Sequence, residues 1–191
     1  MHEVNLEYIL KFRRGNRSNG GHFMAVTLKK EVIVDRWWML VENASDKVEQ
    51  VFKDTEDNIK TSEAPDVKFE RVKVNSSFLG GVLGNDRDFI RVKDKHLPGK
   101  YDMYIGIRKY GKHLDLVWYL TYEPGFIARI INMILFFLKK TLVLNLNLFD
   151  EHDLKVYATV VHHCFLQAVE KVTKGTGQEI DRKSKGFLGI S

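Results

Sequence analysis

The chain has 191 residues, 44% of them hydrophobic, a single cysteine and a formal charge of +5. This length and apolar content suit one packed domain, the lone Cys164 excludes an internal disulfide, and the positive excess is compatible with an anionic partner without naming one. No apolar leader follows Met1, so the expectation is an intracellular, cytoplasmic protein, with or without peripheral attachment to a membrane. The Asn-x-Ser matches at Asn16, Asn43 and Asn75 are accordingly read as chance.

Residues 1–21 form an N-terminal arm: Val4, Leu6, Tyr8 and Leu10 alternate as in a short strand, and the Gly/Ser/Asn-rich run at 15–21 reads as a loop. Between His22 and Val34, Met24, Val26, Leu28, Val32 and Val34 share a face, which predicts one strand bent at Lys29–Glu31. Asp35 then reads as the N-cap of a long amphipathic helix over Arg36–Lys60. Its stripe would be Trp37, Val41, Ala44, Val48, Val51, Phe52, Thr55 and Ile59, with Trp38 off the stripe.

After a connection containing Pro65, Val67–Asn75 and Asp88–Lys95 read as strands. They flank a loop whose Phe78, Leu79, Val82 and Leu83 sit among three glycines; it lacks the Gly-Lys-Ser/Thr ending of a phosphate loop. Tyr101, Met103, Ile105 and Ile107 then alternate along one strand, and Leu114, Leu116, Trp118, Leu120 and Tyr122 along the next. The link from Lys109 to Lys112 has the length of a hairpin turn. Pro124-Gly125 ends the sheet.

Residues 125–149 are the most apolar stretch, with Arg129, Lys139 and Lys140 as their only charges. At about 100° per residue, Phe126, Ile127, Ile130, Met133, Ile134 and Phe137 lie in a very wide apolar arc of a helix over 126–140. Arg129, Asn132, Lys139 and Lys140 occupy the opposite stripe. Leu142, Leu144, Leu146 and Leu148 then alternate with Thr141, Val143, Asn145 and Asn147 as in a strand. Three placements of the helix stay open: on the sheet as core, at a membrane interface or in a partner's groove, or across a bilayer. Its fifteen residues reach only about 22 Å against a hydrocarbon core of about 30 Å.

Asp150 reads as the cap of a last helix whose apolar face is Leu154, Tyr157, Ala158, Val161, Cys164, Phe165, Ala168, Val169 and Val172, ended by Gly175. Val156 and Val160 fall on its back. Residues 176–191 read as a flexible basic tail. The predicted fold is α+β: a twisted antiparallel sheet of about five or six strands, two long amphipathic helices on one face, and an additional very hydrophobic helix, with 22–175 as a single domain.

No catalytic constellation is found, so the expectation is a non-enzyme without cofactor or metal. His152, His162, His163 and Cys164 are the only cluster of metal-ligating types, and one helix cannot bring them onto one ion. Asp102 and Asp115 share a face of the hairpin, more in the manner of a solvated sheet than of an acid–base pair. Two functions remain. The first is an interaction or scaffold protein that docks through Phe126, Ile127, Arg129, Ile130, Met133, Ile134, Phe137, Lys139 and Lys140 on an anionic membrane surface, a protein partner or a second copy of itself. The alternative is a nucleic-acid-binding module whose basic, aromatic sheet face includes Arg91, Lys93, Arg108, Lys109, Tyr110 and Lys112.

Overall fold

The computed structural model describes residues 25–27, 33–75, 87–95, 100–123, 148–174 and 177–183. Along them run β1 (Ala25–Thr27), β2 (Ile33–Val41), a 3-10 turn (Ser45–Lys47), α1 (Val48–Thr61), β3 (Val67–Asn75), β4 (Arg87–Asp94), β5 (Lys100–Tyr110), β6 (His113–Glu123) and α2 (Leu148–Thr173). The strands order as β1-β3-β4-β5-β6-β2. Every neighbour pair from β3 to β2 is antiparallel, and β1 joins β3 in parallel. An antiparallel sheet with two helices is an α+β fold.

The β5–β6 hairpin follows from its alternation. Tyr110 pairs with His113, which leaves Gly111 and Lys112 as a two-residue turn. Gly111 has φ +61°, and Lys112 is not among the residues of positive φ. Positive φ at the first central position alone is the type II′ pattern, which matches the right-handed twist of the strands and favours glycine there.

One expected element is corrected. Arg36–Val41 belongs to β2, not to a helix starting at Asp35, and the helix begins only at Val48. Trp37, Met39 and Val41 are buried while Arg36 and Trp38 face outward, a period of two. Trp37 and Val41 fit a helical stripe equally well, but pairing with β6, with Trp37 opposite Trp118, settles the conformation. Asp35 is no cap: it is 1% exposed within β2, where its carboxylate accepts the Arg36 N–H at 2.7 Å. The remainder of the stripe, Val51, Phe52, Thr55 and Ile59, is buried on α1 as expected.

The main core lies between the sheet and the two helices. One cross-strand row runs Ile90, Ile105, Trp118, Trp37; Phe52 of α1 and Leu154, Val161 and Phe165 of α2 belong to the same cluster. Arg71 ties α1 to β3: it lies over the Phe52 ring at 4.7 Å and pairs with Glu56 at 2.6 Å and Glu49 at 3.0 Å. Asn58 of α1 donates to the Cys164 carbonyl of α2 at 2.9 Å.

A second correction concerns the start of α2. Leu148 and Phe149 are helical, so Asp150 stands in the first turn with Glu151 rather than at the cap, favourably placed at the positive end of the helix dipole. The single strand expected between His22 and Val34 is also corrected: Ala25–Thr27 pairs with β3 and Ile33 onward with β6, at opposite ends of the strand order, because each part finds its own partner. The predicted helix over 126–140, the strand residues before Leu148, Lys29–Glu31, the glycine-rich loop and Gly175 lie outside the described residues.

On the opposite face of the sheet Val72, Val74, Phe89 and Tyr104 form a smaller buried cluster, joined by Val117 and Tyr119. Gly106 pairs with Phe89 across β4 and β5. A Cβ at Gly106 would meet the Phe89 ring at 2.5 Å, so the aromatic ring lies where a side chain would stand. Gly106→Ala is expected to cost about 1–3 kcal/mol through overpacking. Chemical denaturation checks this, and Phe89→Leu in the same chain should recover part of the loss.

Candidate functional site

The basic residues singled out on the sheet fall into two groups. Arg91 and Lys93 sit mid-sheet on β4, whereas Arg108, Lys109, Tyr110 and Lys112 gather at the β5–β6 turn. The Arg91 guanidinium donates from Nε to Asp102 at 2.9 Å and through Nη2 to the same carboxylate oxygen. Lys93 pairs with Glu70 at 2.9 Å, and Arg108 with Asp115. The Lys93 hydrogen bond is the largest influence on Glu70; with the charges of Lys93 and Arg91 it holds that carboxyl below its usual range against a smaller push from burial. Asp102 and Asp115 thus serve as counter-ions rather than as an acid–base pair. A cation already matched to a carboxylate gains less from a phosphate, because the existing pair must first be broken. Exposed basic and aromatic surface remains at the turn, in Lys109, Tyr110 and Lys112. Arg91 and Arg108 also lie 5.7 Å and 5.6 Å from the rings of Tyr104 and Tyr110, which gives both guanidiniums a local aromatic partner.

The apolar docking residues Phe126–Lys140 lie outside the described residues, which resume at Leu148. Leu148 and Phe149 open α2 at 79% and 78% exposure. Val156, seven residues beyond Phe149 and hence on the same side of the helix, is about half exposed. Val160, one turn further, is partly buried against the core. Leu148 and Phe149 in the first turn of α2, and Val156 two turns on, therefore present apolar side chains outward. Among the described residues no helix is long and apolar enough to cross a membrane.

The histidine cluster separates. His152 and His163 are exposed, while His162 is fully buried. The Trp118 indole N–H donates to His162 Nδ1 at 2.9 Å, so Nδ1 is bare and the ring proton is on Nε2, 2.7 Å from the Arg182 carbonyl. Trp37 and Trp118 contact the imidazole edge-on at 5.7 and 5.6 Å. Burial pulls the His162 pKa below its usual value, opposed by the Arg182 carbonyl and reinforced by the charges of His163 and Arg182. Cys164 is a buried free thiol whose pKa burial raises, which suits an inert core residue. Among the described residues no three His, Cys, Asp or Glu side chains stand together as a metal site.

Sequence reasoning missed the role of residues 178–182, read as part of a flexible tail. Gln178 bonds to Leu40 and Glu42, the Asp181 carbonyl accepts from Trp37, and Arg182 bonds to His162 and Glu170. The only local signal was a polar, hydrogen-bonding composition, which does not distinguish a docked strand from a solvated one. No family model, curated protein or solved structure matches the chain.

Proposed function

We propose that the protein is a non-catalytic interaction module that attaches peripherally to an anionic membrane surface through the segment 126–140, continued by Leu148 and Phe149. The observation that supports it is the strong exposure of Leu148 and Phe149, the apolar residues that open α2. Among the described residues the main core is assembled from the sheet, α1 and α2. Residues 125–149 contain three basic and no acidic side chains, a composition that favours lipid headgroups over a neutral groove. Each of Arg129, Lys139 and Lys140 contributes about 1 kcal/mol near an anionic surface. The apolar arc inserts among the acyl chains while the basic stripe stays at the headgroups.

Vesicle flotation tests the reading. The protein should float with vesicles containing anionic lipid, less so as salt rises, and little with neutral ones. Failure to float with either overturns it. Self-association without flotation would assign the segment to a second copy instead. Salt-sensitive binding of single-stranded RNA without flotation would move the function to the turn bearing Lys109, Tyr110 and Lys112.

A further inference from the structure

Among the described residues β2 ends the strand order, and no further strand pairs beyond it. An open edge exposes backbone donors and acceptors that invite another chain. Here the Leu40 carbonyl accepts the Gln178 side-chain N–H at 2.6 Å, and the Glu42 N–H donates to the Gln178 side-chain oxygen at 3.2 Å. The carbonyl of one residue and the N–H of the second residue after it point the same way from a strand, toward a neighbouring strand. One primary amide therefore takes two bonds that the backbone of a neighbouring strand would take. Further along, the Trp37 indole N–H donates to the Asp181 carbonyl. Gln178 stands beside residues 40–42 and Asp181 beside residue 37, so the segment runs antiparallel to β2 while bonding mainly through side chains. Gly177, at φ +69°, supplies the turn that admits it.

At the inner end of this strap the Arg182 carbonyl is held by one imidazole, while the Arg182 side chain pairs with Glu170. Neutral His162 accepts from Trp118 and donates to the Arg182 carbonyl. Both bonds use the neutral ring: an imidazolium has two donors and would set an N–H against the Trp118 N–H. Among the described residues the ionisable groups around it are few, and the carboxylates have partners of their own. β6 faces it with Trp118; β2 faces it with Trp37, and the ionisable residue on that face is Asp35, two residues along. α2 contributes His163 and Glu170, the latter paired with Arg182; the strap contributes Asp181, whose carboxylate accepts the Lys183 N–H, and Arg182. Trp118 is locked in the core, whereas strap residues 179 and 181–183 are exposed. Hydration of a charged ring therefore comes from the strap side.

We propose that residues 177–183 are an acid-releasable strap over the edge of β2, latched by His162. The linkage has a definite sign. The buried ring takes up a proton less readily than a free one, so the open state binds more protons. Latching is complete above the ordinary histidine value of about 6.5 and is lost as the pH falls below it. Release frees the Trp37 indole, the Leu40 carbonyl and the Glu42 N–H together. This device is independent of the membrane reading.

Heteronuclear NMR of the full chain tests it, following solvent exchange of the Trp37 indole N–H and the Glu42 amide from about pH 7.5 to about 5.0, corrected for intrinsic exchange. Both should lose about tenfold or more of their protection together, while amides in the middle of β5 keep theirs. His162→Gln should abolish the response, since a carboxamide can accept from Trp118 and donate to Arg182 without titrating. Protection that is unchanged at the acid end, or an equal loss in His162→Gln, overturns the proposal. Should that variant fail to fold, the wild-type ring decides: the titration midpoint of His162 must coincide with that of strap opening, and separate midpoints overturn it equally.

Discussion

Trp118→Ala is expected to lower the stability of the fold by about 3–5 kcal/mol. Trp118 is completely buried and sits at the centre of the row from Ile90 to Trp37. Its removal acts in two ways. It opens a cavity between the sheet and α2 that close-packed neighbours fill only in part. It also removes the donor to His162 Nδ1, leaving a buried acceptor unsatisfied. The loss should appear in urea as a lower midpoint with little change of slope. A midpoint within experimental error of the wild type would contradict the packing described for β6.

Ile130→Gln, Ile134→Gln and Phe137→Gln, introduced together, should abolish vesicle binding while the domain stays folded. Glutamine keeps helix propensity high, so the change acts on apolar burial rather than on helix formation. Full burial of each original side chain stabilises by about 1.5–3 kcal/mol. Three together correspond at the low end to a loss of partitioning of roughly a thousandfold or more. Flotation reads the binding, and urea denaturation reads the fold. Unfolding of the variant would place the segment in the core and sink the membrane reading; undiminished flotation would do so as well.

Elements whose partners lie nearby in sequence were legible. The alternation of β5 and β6 and the glycine between them specify a hairpin, because the two strands meet through a turn of two residues. The buried face of α2 also emerged, since Leu154, Tyr157, Ala158, Val161 and Phe165 recur at helical spacing and few other faces satisfy them. Arg36–Val41 was not legible. Trp37, Val41, Ala44 and Val48 suit a helix, while Trp37, Met39 and Val41 suit a strand. Local energetics differ by tenths of a kcal/mol per residue, and a pairing partner easily outweighs them. At the candidate site, the basic residues could be found but not their counter-ions: whether Asp102 sits beside Arg91 depends on the register of two strands.

By itself the sequence determined that this chain builds an α+β core from alternating strands and amphipathic helical faces, and that its most apolar segment bears only positive charge. Those properties reside in the spacing and chemistry of neighbouring residues. Tertiary structure alone decided that β2 pairs with β6, some eighty residues later, and thereby turned the start of a predicted helix into a strand. It alone turned His162 inward and brought Gln178, Asp181 and Arg182 back to β2 and α2. The physical reason is that these bonds join groups distant in the chain, so their free energy exists only once the sheet and α2 have packed and excluded water.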